Sequence, residues 1–192
     1  MDKQLLLGDE AIAQAALDAG LSGVYAYPGT PSTEITEYIQ AVLKNTDSNI
    51  HRNWCANEKT AMEAALGMSF VGKRALVCMK HVGMNVAADC FINSAMTGAN
   101  GGIIVVAADD PGMHSSQNEQ DSRNYARAAK IPMFEPSDSQ ECKDFLVKAY
   151  EISEEYDTPV MLRLHTRVSH SRSIVSCEDP KDIVLRPYEK NI

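Results

Sequence analysis

Apolar and polar positions fall into blocks of two alternating kinds. Gly8-Asp9-Glu10 opens a helical pattern with Ile12, Ala15, Ala16 and Leu17 at core spacing, and Gly20 stands where a C-terminal cap belongs. Gly23 to Tyr27 reads as a first buried strand. Thr30 then offers a hydroxyl at an N-cap with Pro31 at the first helical position, which predicts a helix to about Leu43. Ile50 to Trp54 is a second strand, and Asn57 can cap a helix from Glu58 to Val71 that Gly72 ends. Ala75 to Met79 is a third strand, Asn85 to about Met96 is helical, and Ile103 to Ala107 is a fourth strand, apolar on both faces. A polar stretch from Ala108 to about Ser122 precedes a short helix near Arg123–Ala129 and a brief fifth strand at Met133-Phe134. Ser137 or Ser139 caps a helix through Tyr156, and Val160 to Leu164 is the sixth strand. Past Arg167 the core signal fades, so residues 1–168 read as one domain and 169–192 as a linker or docking tail.

Short apolar strands separated by helices predict an α/β fold, a doubly wound parallel sheet of about six strands covered on both faces. Ligands in such folds bind beyond the carboxyl ends of the strands. The segments at that end are Tyr27–Thr33, Trp54–Lys59, Lys80–Asn85 and Ala107–Ser122, all unusually polar or glycine-bearing.

Composition narrows the function. The formal net charge is -8, which argues against nucleic acid, whose phosphates need Lys and Arg, and against an anionic lipid surface. No uninterrupted apolar stretch is long enough to span a bilayer, and Leu5-Leu6-Leu7 is too short for a secretory core, so a cytoplasmic location is expected. The five cysteines have no C-x-x-C spacing, and neither a disulfide framework nor a zinc or iron–sulfur site is expected of them.

Four motifs could carry chemistry. Tyr27-Pro28-Gly29-Thr30-Pro31-Ser32-Thr33 has one glycine and is neither G-x-G-x-x-G nor a P-loop, which weakens a nicotinamide or nucleoside-triphosphate reading. As local structure it is a rigid strand-to-helix turn, and its helix N-terminus could also face an anionic ligand. In Trp54-Cys55-Ala56-Asn57-Glu58-Lys59, Glu58 by itself would do no more than offset a helix dipole. A strand runs into it, however, and Ala61, Ala64, Ala65 and Gly67 follow, so the helix can pack closely and bury a carboxylate at the sheet's mouth. In Met79-Lys80-His81-Val82-Gly83-Met84-Asn85, His81 follows a buried strand at the same mouth, and Gly83 would allow a close backbone approach or a positive φ. The stretch Ala108-Asp109-Asp110-Pro111-Gly112-Met113-His114-Ser115-Ser116-Gln117-Asn118-Glu119-Gln120-Asp121-Ser122-Arg123 suits an exposed turn, but so long a loop in a compact domain points to function.

These four motifs, in this order from about Leu5 to Ser169, resemble the thiamine-diphosphate-dependent 2-oxoacid:ferredoxin oxidoreductases, and within them the alpha subunits of the indolepyruvate type. The resemblance implies a three-layer α/β/α pyrimidine-binding domain. It implies that Glu58 hydrogen-bonds N1′ of the aminopyrimidine, favouring the imino tautomer whose N4′ can remove the thiazolium C2 proton. Tyr27, Pro28, Gly29, Thr30, Gly83 and Asn85 would line the cofactor, and Thr30, His81 and Asn118 would face the substrate, an aryl pyruvate or similar 2-oxoacid. The implied reaction is oxidative decarboxylation to an acyl-coenzyme A, with electrons passed to iron–sulfur clusters and ferredoxin.

The G-D-G…N motif that holds magnesium and diphosphate in that family is missing, because Gly8-Asp9-Glu10 is not it, and so are the cluster cysteines. The chain should therefore be either a fragment or a separately encoded subunit, should work with a diphosphate-binding domain of the same or a partner chain in a homo-oligomeric enzyme, should hold no metal of its own and should not catalyse alone. Two rival readings stand beside this one: a pyrimidine-binding subunit of a non-oxidative decarboxylase of the sulfopyruvate type, and a non-catalytic doubly wound binding module.

Overall fold

The computed structural model describes residues 2–177 and 183–187. Among them the chain runs β1 (Asp2–Leu7), α1 (Gly8–Asp18), β2 (Gly23–Ala26), α2 (Thr33–Val42), β3 (His51–Trp54), α3 (Glu58–Phe70), β4 (Ala75–Lys80), α4 (His81–Thr97), β5 (Ile103–Asp109), α5 (Arg123–Ala129), β6 (Met133–Phe134), α6 (Ser139–Glu155), β7 (Val160–His165), α7 (Thr166–Ser169) and β8 (Arg172–Cys177). The central sheet is parallel throughout, in the order β3-β2-β4-β5-β7-β6.

Period-2 geometry sends successive side chains of the inner strands into two separate cores. Leu76, Cys78, Ile104 and Val106 pack under α1, α2 and α6. Ala75, Val77, Ile103 and Val105 pack under α3, α4 and α5. Every residue of β4 and β5 is buried, as a strand covered on both faces requires. The expected three-layer, doubly wound architecture is thus the observed one. After β3 the chain crosses back over β2 to β4, so the order reverses between β2 and β4. The segments leaving those two strands diverge there and open a crevice at their carboxyl ends.

Three expectations are corrected. The helix expected from Thr30 begins at Thr33 with Ser32 as its N-cap residue, and the Thr30–Pro31 peptide is cis. Thr30 therefore caps nothing; Gly29 N–H donates to Thr33 Oγ1 at 2.9 Å and Ser32 O–H to the Gly29 carbonyl at 2.8 Å, closing the turn instead. The helix expected from Asn85 begins at His81, so Gly83 lies inside its first turn rather than in a junction.

The third correction concerns the tail. Residues 169–192 do not all lie outside the domain, because Arg172–Cys177 is a strand antiparallel to β1, with Lys3 opposite Ser176 and Leu5 opposite Ile174. Leu6, Val175 and Cys177 face inward from this pair onto the α1 and α6 side of the core. Residues 183–187 also lie on the domain, with Ile183 packed against the core beside Gly20 and Arg186 paired with Asp157, and the rest of the expected tail, at 178–182 and 188–192, lies outside the described residues.

Candidate functional site

Glu58 opens α3, directly after the carboxyl end of β3. Asn57 fixes that helix start: its Oδ1 accepts from Thr60 N–H at 2.9 Å, and Thr60 O–H donates to the Asn57 carbonyl at 2.8 Å. Small residues let α3 sit low on the sheet, since Ala61 and Ala65 are fully buried. Glu58 itself is only 8% exposed. Its carboxyl group rests on the first turn of α4, where a Cβ built on Gly83 would lie 2.5 Å from Glu58 Oε1 and 2.8 Å from its Cδ. Gly83 has no positive φ, so its role is the close approach and not an unusual backbone. Among the described residues none donates a hydrogen bond to the Glu58 carboxyl.

The other sequence-singled residues gather at the same end of the sheet. Tyr27, Pro28 and Thr30 are exposed on the turn after β2. That turn lies against β4, for a Cβ on Gly29 would stand 3.2 Å from Lys80 Cβ. His81 is fully buried, and its Nε2 lies 3.1 Å from both the main-chain and the side-chain oxygen of Asn118. Acceptors on that side put the ring proton on Nε2. They leave Nδ1 buried and without a partner among the described residues. Asn85 donates to Gln120 Oε1 at 2.7 Å and accepts from Gln120 Nε2 at 3.0 Å and from the Tyr125 hydroxyl.

Sequence reasoning missed Lys80, Gln120 and the paired aspartates that end β5. Lys80 is 8% exposed and donates from Nζ to the Ser115 carbonyl at 2.5 Å. Gln120 bonds the His81 carbonyl at 3.1 Å as well as Asn85, fastening the long loop to the start of α4. Asp109 accepts from Ser122 N–H at 3.0 Å and from Arg163 Nε at 2.7 Å in a buried pair. Asp110 accepts from the Ser115 N–H at 2.8 Å, the Ser116 hydroxyl at 2.6 Å and the Thr166 hydroxyl at 2.7 Å. Burial pushes the Asp110 carboxyl up, but these bonds from Ser116, Ser115 and Thr166 outweigh it and hold the group well below the usual carboxylate range. Many polar groups expected to reach a partner or substrate are thus spent on holding the loop over the sheet. A signal was present in the run of Ser, Asn and Gln itself, but not which of them would turn inward.

The arrangement is a crevice floored by strand ends, with one mostly buried carboxylate residue seated against a bare helix backbone and a loop fastened at several points beside it. Such a carboxyl can share a proton with a ring nitrogen, and the room left by Gly83 matches a group that must be held close to the helix.

The family model described as pyruvate flavodoxin/ferredoxin oxidoreductase, thiamine diP-bdg, matches residues 14–191. The chain is 49% identical over 176 residues to an indolepyruvate oxidoreductase subunit IorA of Archaeoglobus fulgidus, covering 91% of this chain and 28% of that protein. It is 50% identical over 183 residues to the subunit of the same name from Pyrococcus horikoshii, covering 95% and 28%. A 2-oxoglutarate synthase subunit KorA of Methanothermobacter thermautotrophicus is 28% identical over 93% of this chain and 48% of its own length. Among solved structures, a 2-oxoglutarate:ferredoxin oxidoreductase from Magnetococcus marinus superposes with a TM-score of 0.81 at 19% identity, over 97% of this chain and 33% of that one. The chain therefore spans little more than a quarter of the indolepyruvate relatives. It belongs to the thiamine-diphosphate-binding domain family of the pyruvate flavodoxin/ferredoxin oxidoreductases.

Proposed function

We propose that this chain is the pyrimidine-binding domain of an indolepyruvate-type 2-oxoacid:ferredoxin oxidoreductase. The observation that carries the reading is the placement of Glu58, 8% exposed and pressed against Gly83 in the crevice. Thiamine diphosphate supplies an electron sink for the pair of electrons left when a 2-oxoacid loses carbon dioxide. The chain's own contribution is the carboxyl of Glu58, which shares a proton with the aminopyrimidine N1′. Asn57 holds the carboxyl in place by fixing the start of α3, and Gly83 leaves the space it occupies.

Tyr27, Pro28, Gly29, Thr30 and Asn85 form the rim on which the ring is held, and Thr30 and Asn118 face the 2-oxoacid, with buried His81 positioning Asn118 from beneath. Diphosphate and magnesium are held by another domain, which the longer relatives have room for. The names of the relatives favour an oxidoreductase over a sulfopyruvate-type decarboxylase or a non-catalytic module. The complete enzyme is read as a cytoplasmic homo-oligomer using coenzyme A and ferredoxin. A reducing compartment suits a chain with five cysteines, four of them buried. No helix among the described residues is long and apolar enough to cross a membrane.

The test is Glu58→Gln in the complete enzyme. Loss of one proton-sharing carboxyl should lower turnover by about 100-fold or more. The melting temperature should stay near that of the parent. Turnover close to the parent's would overturn the reading.

A further inference from the structure

A second polar cluster lies on the other face of the sheet, where α1, α2 and the end of α7 meet. Asp9 sits in the first turn of α1, Glu34 in the first turn of α2, and His170 follows α7. One ligand-type atom from each falls within 4.8 Å of those of the other two. His170 Nε2 is 3.2 Å from Glu34 Oε1. A glycine makes the approach of α1 to α7 possible, for a Cβ on Gly8 would stand 2.3 Å from the Val168 carbonyl oxygen.

The cluster is notable for what its oxygens lack. Asp9 is 0% exposed, and neither of its carboxylate oxygens has a hydrogen-bond donor; Glu34 Oε2 is buried and equally unpartnered. Ser169, also 0% exposed, turns its hydroxyl toward Asp9 without reaching hydrogen-bond geometry, so that Oγ is unpartnered too. Buried carboxylates are ordinarily paired or bound to a metal, and buried polar atoms ordinarily have partners. Two acidic groups with buried, unpartnered oxygens, beside an imidazole nitrogen and a hydroxyl, define a place for a positive charge.

We propose that Asp9, Glu34 and His170 bind one divalent first-row transition cation, which ties α1, α2 and α7 together. Two carboxylate oxygens and one imidazole nitrogen suit Zn²⁺ and its neighbours better than Mg²⁺ or Ca²⁺, which prefer all-oxygen shells. Tetrahedral donors about 2.1 Å from a common ion lie about 3.4 Å apart, so atoms within 4.8 Å of one another close on it by drawing in by up to about 1.4 Å. Ser169 is placed to complete the shell or to orient Asp9. Without an ion, burial alone would raise the Asp9 carboxyl well above its ordinary range, and a proton would take the cation's place.

The site stands apart from Glu58 and can fail or hold independently of the cofactor reading. The experiment uses the 192-residue chain stripped with a chelator and titrated in turn with Zn²⁺ and Co²⁺. One equivalent should bind saturably, raise the melting temperature and, for Co²⁺, give visible absorption without the intense band of a sulfur ligand. His170→Ala, at a partly exposed position where folding is not at risk, and the near-isosteric Asp9→Asn should each weaken binding at least tenfold. Absence of saturable binding in the parent, or undiminished binding in His170→Ala, would overturn the proposal.

Discussion

The Glu58 carboxyl occupies the volume that a side chain at position 83 would fill, with Oε1 2.5 Å from where that Cβ would be. The two residues are 25 apart in sequence, on α3 and α4, and each is placed by its own helix start. Real Cβ atoms do not approach an oxygen so closely, so Gly83→Ala must move the carboxyl. Alanine favours a helix over glycine by about 1 kcal/mol, so the fold should persist or gain slightly in stability. Turnover of the complete enzyme should nevertheless fall at least as far as in Glu58→Gln. Calorimetry beside a turnover assay separates the two effects, and an active Gly83→Ala enzyme would show that the carboxyl's position is not critical.

The His81–Asn118 contact anchors the long loop from within the core. His81→Leu removes a donor to both Asn118 oxygens and should cost about 1–2 kcal/mol. Residues 110–121 should then be cut more readily by a protease under native conditions, while α4 stays protected. Unchanged cleavage would mean that Asp110 and Gln120 hold the loop without help.

Arg74 and Glu154 form a two-bond ion pair, 2.6 and 2.7 Å, and Arg74 also donates to the Ala19 carbonyl at 2.6 Å. Burial would raise the Glu154 carboxyl, but the bonds and charge of Arg74 outweigh it and leave the group below its ordinary value. A lowered carboxylate stabilises the fold above its unfolded value of about 4.3, and that contribution fades as pH falls through the lower folded value. Glu154→Gln should therefore be less stable than the parent at pH 7, with the gap shrinking below about pH 4.3. Denaturant titrations across that range would reveal it, and a constant gap would assign the effect to packing.

Neighbouring positions of β8 face opposite ways. Val175 is fully buried and Ile174 is 64% exposed. Val175→Asp would place an unpaired charge in the core and should cost about 3 kcal/mol or more. Ile174→Asp should stay within about 0.5 kcal/mol of the parent. Equal, small effects on the melting temperature would show that the strand is loosely attached.

The inner sheet was legible because both of its faces are buried. Runs such as Ile103–Ala107 and Ala75–Met79 cannot be mistaken for surface, and the helices between them dictate parallel order. The strand β8 was illegible for the opposite reason: on its inner face only Val175 and Cys177 are apolar, since Ser173 turns inward with them, and Arg172 and Ser176 add polar residues on the other. The start of α2 was misplaced because Thr30-Pro31 imitates a cap followed by a first-turn proline, whereas Ser32 and Thr33 close the turn. The start of α4 was missed because Gly83 reads as a breaker, and only the approach of Glu58 explains a glycine there.

For the candidate site, the carboxylate and the strand ends were readable from local order alone. The partners of His81 and Asn85 were not, since Asn118 and Gln120 lie 37 and 35 residues further on and no periodicity links them. Asp9, Glu34 and His170 are still more widely scattered, which is why no ligand spacing announces them.

The antiparallel union of β1 with β8 places Lys3 directly across from Ser176. The first and last described strands thus lie side by side at one flank of the α1–α6 layer, and the chain then runs on to 183–187, where Ile183 packs against the core and Arg186 pairs with Asp157. Removing either strand would leave the other's ladder unpaired and bare the flank that Leu6 and Val175 cover.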